Sequence, residues 1–389
     1  MMIRLSGTTG SAAYSAVRSW SSSAAAASPI PFAERLPVDP SALTLYTHSP
    51  LVPTTWRVTK RINRGENCFT QGLFFRGRQM YESCGMRGAS IVRRVSLAGG
   101  VFSEMNVAKN PSTDFAEGLC MWPPEAETAS GAPAPASASA SGTSPLLLQL
   151  TWQERAVVVW NADTLAPVER IHFESTVNEG WGITHDGFAQ LVMSDGSAFL
   201  HFWSPDPAVY RASSKGMTPL RAPVKVVDRI KGGADWLPPT APRLYGAGWA
   251  PQTLIRPTRF GAGFGNGVAV SNLNELEWAH GWVLANIWYD NRVAIINPRS
   301  GAVVWYLDFT ALVGENAGGD VLNGLAYTMR LDVADAEARG VNDALAKKPW
   351  EGRLWVTGKN WKHVYEIELG GFVDANDLAQ VGDTVGTGV

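Results

Sequence analysis

Apolar residues along the chain run or alternate in short segments that end in turn residues, a pattern typical of β-strands. One such segment recurs five times. In each copy, a residue that varies among the copies precedes a Gly or Glu, and we call this residue the varying letter. The copies read TQGL, AEGL, GWGI, LNEL and LNGL, at 70–73, 116–119, 180–183, 273–276 and 322–325. A second and a third strand-like segment follow each copy. The sequence therefore predicts five repeats of one β unit.

A fourth segment completes the first four units, at 99–107, 166–173, 223–230 and 301–309. The fifth unit stops after three, at HVYEIEL, whereas a strand-like segment at 55–62 precedes the first unit. Pairing these two segments would close a ring and protect its strand edges. We therefore predict an all-β fold: a five-bladed β-propeller of four-stranded antiparallel blades over residues 54–370, closed by an N-terminal strand.

Five segments lack this pattern and are predicted to lie outside the blades. The segment 334–348 is predicted to form a short helix. The others are the N-terminal segment 1–40, a low-complexity loop at 123–145, a Pro- and Gly-rich loop at 234–267 and a C-terminal tail at 371–389.

The N-terminus is rich in Ser and Ala, carries Arg4 and Arg18, and has no acidic residue before Glu34. This composition resembles an organellar transit peptide more than a secretory signal, because it lacks a strong apolar core. A disordered tail is the alternative, and the compartment stays open.

Composition narrows the function classes. The net charge is −2 and no long basic run occurs, which argues against nucleic-acid binding. No apolar stretch approaches about 18 residues, so no transmembrane segment is predicted. Three cysteines without CxxC spacing are expected to be buried free thiols, not disulfides or zinc ligands. Six scattered histidines suggest no metal site, and no cofactor is expected, although a structural cation in the channel stays open.

The varying letter of the repeat points to a functional site. Innermost strands of a propeller surround a central channel, so equivalent positions lie at one height around it. Only one of the five letters is charged, and partial desolvation should raise its pKa, which suits a proton carrier near neutral pH. The five are Gln71, Glu117, Trp181, Asn274 and Asn323.

The second segments place another set of side chains at the same end of the channel. Trp152, Trp288 and Lys359 stand at their strand ends. With Trp181 they give three indoles and one ammonium beside the acid. Indoles offer flat apolar walls and an N–H donor each, so the mouth suits a small, partly apolar chain end that carries a positive charge.

Structural alternatives apply to the same residues. Polar residues at a propeller centre often bind only water, and Glu117 could simply pair with Lys359. Tryptophans within blades usually belong to the core, and five are interpreted in this way: Trp56, Trp160, Trp203, Trp305 and Trp355.

The ordered motifs FTQGL, EGL with LTW, GWGITHDG, LNELEW with ANIW, and LNGLAY with VTGKNW resemble the plant and bacterial glutaminyl-peptide cyclotransferases. The resemblance covers residues 54–370 and implies conversion of N-terminal glutamine in peptides to pyroglutamate, with release of ammonia. It implies Glu117 as the catalytic carboxylate. The other matched positions are polar site residues and aromatic walls: Gln71, Asn274, Lys359, Trp152, Trp181 and Trp288. Two departures are NRGENC before the first motif and Gln153 after LTW.

The expected partner is a peptide or protein N-terminus bearing glutamine, acted on by a monomer. Two other functions remain. One is a calcium-dependent propeller lactonase, since Glu117 and the ring amides offer oxygen ligands of the kind Ca²⁺ accepts. The other is a non-catalytic propeller that serves as an interaction platform.

Overall fold

The computed structural model describes residues 51–65, 67–76, 79–98, 101–122, 145–186, 190–228, 268–316, 318–328, 350 and 352–375. The N-terminal segment, the 234–267 loop and the helix predicted at 334–348 lie outside the described residues, as does the 123–145 loop apart from Pro145. The C-terminal tail is described only as far as residue 375.

Twenty strands form five four-stranded blades, as predicted. From the channel outward, blade 1 contains β3 (Thr70–Arg76), β4 (Gln79–Cys84), β5 (Ile91–Ala98) and β6 (Val101–Lys109). Blade 2 contains β7 (Ala116–Trp122), β8 (Leu146–Thr151), β9 (Ala156–Asn161) and β10 (Pro167–His172). Blade 3 contains β11 (Ile183–His185), β12 (Leu191–Ser194), β13 (Phe199–Trp203) and β14 (Pro219–Lys225).

Blade 4 contains β17 (Leu273–Ala279), β18 (Trp282–Ile287), β19 (Arg292–Ile296) and β20 (Ala302–Asp308). Blade 5 contains β21 (Leu322–Thr328), β22 (Arg353–Gly358), β23 (His363–Gly370) and, outermost, β2 (Thr55–Asn63). Within the described residues, two helices of six residues each lie between strands: α1 (Pro207–Ala212) and α2 (Thr310–Glu315). None of the helices in the described part of the chain is both long and apolar enough to cross a membrane.

The ring closes as the sequence predicts. β2 pairs antiparallel with β23, from Thr55 opposite Gly370 to Asn63 opposite His363. A further two-stranded sheet joins β1 (Leu51–Val52) to β24 (Val373–Asp374), so the described fold continues on both sides of the 54–370 boundaries. Joining the two ends of the chain leaves blade 5 with a paired outer strand in place of an exposed edge.

The outer strand of blade 3 differs from the predicted 223–230. β14 begins at Pro219 and ends at Lys225, and the chain then changes sheets at Val226. The next residues form β15 (Val227–Asp228), which pairs in parallel with β20 of blade 4 and antiparallel with β16 (Val268–Ala269). The apolar run that the sequence presents as one strand is therefore divided between two neighbouring sheets.

The core lies between adjacent blades, and the five tryptophans expected there are all buried. At the centre the innermost strands approach each other closely. A Cβ atom at Gly182 would clash with the carbonyl oxygen of Asn274 in the next blade, which explains why the repeat places Gly after its varying letter. In blade 4 that position holds Glu275, whose carboxylate instead accepts a hydrogen bond from the Leu325 amide at 2.8 Å.

One face of the ring collects the residues around the varying letter. The innermost strands begin there, and the turns between second and third strands return to it. We call this the mouth face. Residues that follow β4, β8, β12, β18 and β22 therefore surround the starts of the five innermost strands.

The prediction of three free thiols is wrong for two of them. Cys68 and Cys84 form a disulfide with a Cα–Cα distance of 5.3 Å, and Cys120 is a buried free cysteine. The pairing follows from the hairpin, because Cys84 lies opposite Thr70 and Cys68 precedes Thr70 by two residues. A count of cysteines and a search for CxxC contain no information on which residues lie opposite each other in a hairpin.

Candidate active site

Glu117 lies at the beginning of the innermost strand β7, on the mouth face, and only 5% of it is exposed. Its Oε1 accepts a hydrogen bond from Gln71 Nε2 at 3.2 Å. Asn323 Nδ2 in turn donates to Gln71 Oε1 at 3.2 Å and to the Thr70 carbonyl at 2.9 Å. The side chains at three of the five varying-letter positions thus form one chain of hydrogen bonds across blades 2, 1 and 5.

Burial raises the pKa of Glu117 well above its ordinary value of 4.5. The positive charge of Lys359 acts in the opposite direction, whereas the negative charges of Glu179 and Glu154 raise the pKa further. The predicted direction is confirmed, although Glu117 is not the only acid near the mouth. A raised pKa of this kind is typical of carboxyl groups that carry protons in active sites.

Lys359, directly after β22, brings a buried ammonium group to the mouth. Its Nζ lies 4.8 Å from the centroid of the Phe69 ring and 6.0 Å from that of Trp288, distances at which a cation is attracted by an aromatic face. Burial lowers the pKa of Lys359, and the charges of Glu117 and Asp320 counter that effect.

Two of the predicted indole walls share one acceptor that the sequence pattern does not identify. Trp152 Nε1 donates to Glu179 Oε2 at 2.7 Å, and Trp181 Nε1 donates to the same oxygen at 2.9 Å. Ser175 holds the loop around Glu179, since its hydroxyl bonds the carbonyl and the amide of Glu179 at 2.9 and 3.1 Å. These two indole N–H groups are therefore engaged with the protein, and their shared acceptor fixes the orientation of both rings.

The remaining aromatic contacts connect these walls around the mouth. Trp181 meets Trp288 edge-on, with ring centroids 5.4 Å apart. Trp152 likewise meets Phe115 at 5.7 Å, and Phe115 meets Phe69 at 6.2 Å. Phe69 and Phe115 belong to this aromatic set but are not singled out by the repeat, because each precedes the varying letter by two residues and resembles an ordinary apolar strand position.

Asn274 occupies its ring position with a buried side chain whose Oδ1 has no hydrogen-bond partner. Its main-chain carbonyl accepts a bond from the Ser194 hydroxyl at 2.6 Å. The orphaned oxygen lies at the one ring position that is followed by Glu275 and not by glycine. A buried polar atom without a partner is uncommon in folded proteins and marks a place to look for a ligand or water.

Two further acids follow in β17, of which Glu275 is buried and Glu277 is half-buried. Burial raises the pKa of Glu275 well above the ordinary range, and the neighbouring Glu277 adds to this, against backbone bonds from Leu325 and Leu73. Burial likewise raises the pKa of Glu277 to about 8, against a 2.9 Å bond from the Tyr327 amide. In the sequence, Glu275 differs from the repeat because it follows the varying letter, a position that holds Gly in the other four copies.

A polar cluster borders the mouth beside Trp152. Arg87 Nη1 donates to Glu154 Oε1 at 2.5 Å and to the Thr113 carbonyl at 2.7 Å. Glu154 Oε2 accepts the Phe115 amide at 3.2 Å. Gln153, the departure noted in the sequence, donates weakly to Glu179 Oε1 at 3.4 Å. Loop residues of this kind carry no periodic pattern, so their neighbours cannot be inferred from the sequence.

Among the described residues, one group of His, Cys, Asp or Glu side chains is close enough to hold a metal ion. It consists of Cys68, Glu82 and Cys84. Both of its sulfur atoms are in the disulfide, and the Glu82 carboxylate is bonded to Arg64, Arg93 and Thr70. The donor atoms of this group are therefore already committed within the protein.

Comparisons with known proteins relate the chain to one family. A family model described as glutamine cyclotransferase matches residues 38–126, 140–218 and 251–334, which include every predicted site residue except Lys359. The glutaminyl-peptide cyclotransferase of Arabidopsis thaliana is 26% identical over 309 residues, covering 78% of this chain and 68% of that protein. The crystal structure of Myxococcus xanthus glutaminyl cyclase is 25% identical, with a TM-score of 0.52, and covers 82% of this chain and 97% of that one.

Proposed function

The chain belongs to the glutamine cyclotransferase family, and we propose that it converts the N-terminal glutamine of peptides to pyroglutamate at the mouth of the propeller. Membership supports an enzyme of this class. The observation that carries the proposal for this site is Glu117, a buried carboxyl at the start of an innermost strand, beside Lys359 and the indole walls fixed by Glu179.

In the proposed reaction the substrate's α-amine attacks its own side-chain amide carbon. The ionised Glu117 takes a proton from the amine nitrogen as the new C–N bond forms. It returns that proton to the amide nitrogen as the old C–N bond breaks, so ammonia leaves and the carboxylate is restored. An α-amine has a pKa of about 7.7 to 8.0, and the raised pKa of Glu117 makes its carboxylate a stronger base toward that amine.

The walls would contribute by orientation. Glutamine must fold so that its amine approaches its own amide, and a site that holds this conformation lowers the entropic part of the barrier to ring closure. Trp152 and Trp181 suit this role because Glu179 fixes both rings through their N–H groups. Gln71 and Asn323 would hold the Glu117 carboxylate in place through the hydrogen-bond chain.

The negative charge that develops on the amide oxygen of the substrate needs a hydrogen-bond donor. Gln71 uses one of its two side-chain N–H bonds on Glu117, and the N–H groups of Trp152 and Trp181 are used on Glu179. Lys359, Asn274 and the second N–H of Gln71 are therefore the proposed donors. Such a donor typically contributes about 2.7 to 4 kcal/mol to the transition state.

The direct test incubates the full-length protein with H-Gln-Ala and measures ammonia and the pyroglutamyl product. N-acetyl-Gln-Ala is the matched control, because its blocked amine cannot attack. We expect ammonia from H-Gln-Ala alone. Absence of ammonia, or hydrolysis of a lactone in its place, would overturn the proposal.

A further inference from the structure

The turn between β18 and β19 holds a large aromatic residue in a backbone conformation that disfavours it. Tyr289 has a φ of 66°, in the left-handed region. The Asp290 amide donates to the Ile287 carbonyl at 2.8 Å, so Tyr289 is the third residue of a tight turn. A third position with positive φ normally takes glycine or asparagine, and a bulky residue there is strained.

Equivalent turns in two other blades follow the usual preference. After β22, Asn360 has a φ of 59°, and the Trp361 amide donates to the Gly358 carbonyl at 3.2 Å. After β12, Gly196 has a φ of 79°. Only blade 4, of these three, keeps a bulky residue at this position. Local strain that the fold retains is a reason to look for a function of the side chain.

Tyr289 is 73% exposed, more than any other large hydrophobic side chain in the described part of the protein. Its ring stacks on Trp288, with centroids 4.4 Å apart and planes inclined by 28°. We call Trp288 and Tyr289 the aromatic ledge. The ledge continues the pocket wall outward, because Trp288 also meets Trp181 at 5.4 Å and the Lys359 ammonium at 6.0 Å.

The ledge is within reach of the next residue of a peptide. An extended chain advances about 3.3 to 3.6 Å per residue, and the Tyr289 ring packs against Trp288, which borders the proposed pocket. A peptide whose first residue lies between the indoles must leave across the mouth face, where Tyr289 stands. A flat exposed ring there offers stacking and apolar contact to a side chain.

We propose that the aromatic ledge binds the second residue of the substrate peptide and makes the enzyme prefer an aromatic or large apolar residue there. This inference rests on the proposed function of the pocket and identifies a substrate class within it. Tyr289 acts here as a specificity-determining residue and takes no part in the proton transfer.

The test compares kcat/KM for H-Gln-Phe and H-Gln-Ala in the native protein and in three variants. Tyr289→Asn introduces the residue found in the equivalent turn of blade 5, so the turn keeps its favoured conformation. Tyr289→Phe retains the ring. Phe372→Ala is the matched control, because Phe372 is 37% exposed and follows β23 on the opposite face.

We expect the native protein to prefer H-Gln-Phe, and Tyr289→Asn to lower the ratio of the two kcat/KM values about three- to tenfold, the range of one aromatic contact. Tyr289→Phe and Phe372→Ala should leave the ratio as it is. Thermal unfolding of each variant checks that the fold is retained.

The outcomes separate the two proposals. If the native protein releases ammonia from neither dipeptide, the proposed function fails and the ledge proposal fails with it. If ammonia is released but Tyr289→Asn leaves the ratio unchanged, or lowers both values equally, the proposed function stands and the ledge proposal is overturned.

Discussion

Replacing Glu179 with glutamine tests how the indole walls are held. In the native protein one carboxylate oxygen accepts the N–H groups of both Trp152 and Trp181. Glutamine has nearly the same shape, but it is neutral and one of its two terminal atoms becomes a donor. The substitution therefore weakens both bonds while it leaves the volume of the side chain in place.

The size of the effect follows from these two bonds. A hydrogen bond to a charged group contributes about 1.5 to 3 kcal/mol and a neutral one about 0.5 to 1.5, a difference of about 1 kcal/mol per bond. Two bonds give about 2 kcal/mol, which corresponds to about a thirtyfold fall in kcat/KM if the fixed rings matter fully in the transition state.

The charge of Glu179 adds a second readout. Because this charge raises the pKa of Glu117, its removal should lower that pKa and increase the ionised fraction of Glu117 at a given pH. The acid limb of the kcat/KM profile should therefore move to lower pH. The assay is ammonia release from H-Gln-Ala across pH. The control is Glu174→Gln, because Glu174 is an exposed carboxylate in the same loop as Glu179 and pairs with Lys215 instead of the indoles.

An unchanged kcat/KM and an unchanged pH profile in Glu179→Gln would refute the reasoning, provided that the variant folds. A fall in rate without a shift of the acid limb would retain the positioning role of Glu179 but refute its electrostatic effect on Glu117.

Two other predictions concern stability and metal dependence. Burial raises the pKa of Glu277 in the folded protein to about 8, against an ordinary value of 4.5. Between these two pH values the unfolded chain binds fewer protons than the folded protein, so the free energy of unfolding should fall as the pH rises. Glu277→Gln should reduce this fall in urea titrations at several pH values, and the same dependence of the free energy of unfolding on pH in both proteins would contradict the prediction. We also expect dialysis against EDTA to leave ammonia release intact, and a loss reversed by added metal ion would contradict that expectation.

The blades can be predicted from sequence because the repeat supplies five aligned copies of one strand pattern. Copies align equivalent residues, so the pattern alone places Gln71, Glu117 and Asn323 near one another, and the hydrogen bonds between them follow that placement. The predicted outer strand of blade 3 is wrong in its bounds because periodicity alone cannot show that a chain changes sheets at Val226.

The residues that the sequence pattern does not identify lie in loops or depend on contacts between chain segments. Glu179 lies two residues before the varying letter of the third copy, and only folding brings its carboxylate to the indole of Trp152. The Cys68–Cys84 disulfide depends on hairpin register. Tyr289 resembles the end of a strand segment in the sequence, and its strain is visible only in the backbone angle.

The measurement that tests the central claim most directly is the rate of ammonia release from H-Gln-Ala by Glu117→Gln. General acid–base catalysis typically contributes about 10² to 10⁴ in rate, and we predict a loss of that size with thermal unfolding unchanged. Glu104→Gln, an exposed carboxylate on β6, should retain the native rate. A folded Glu117→Gln protein that turns over H-Gln-Ala as fast as the native protein would contradict the account.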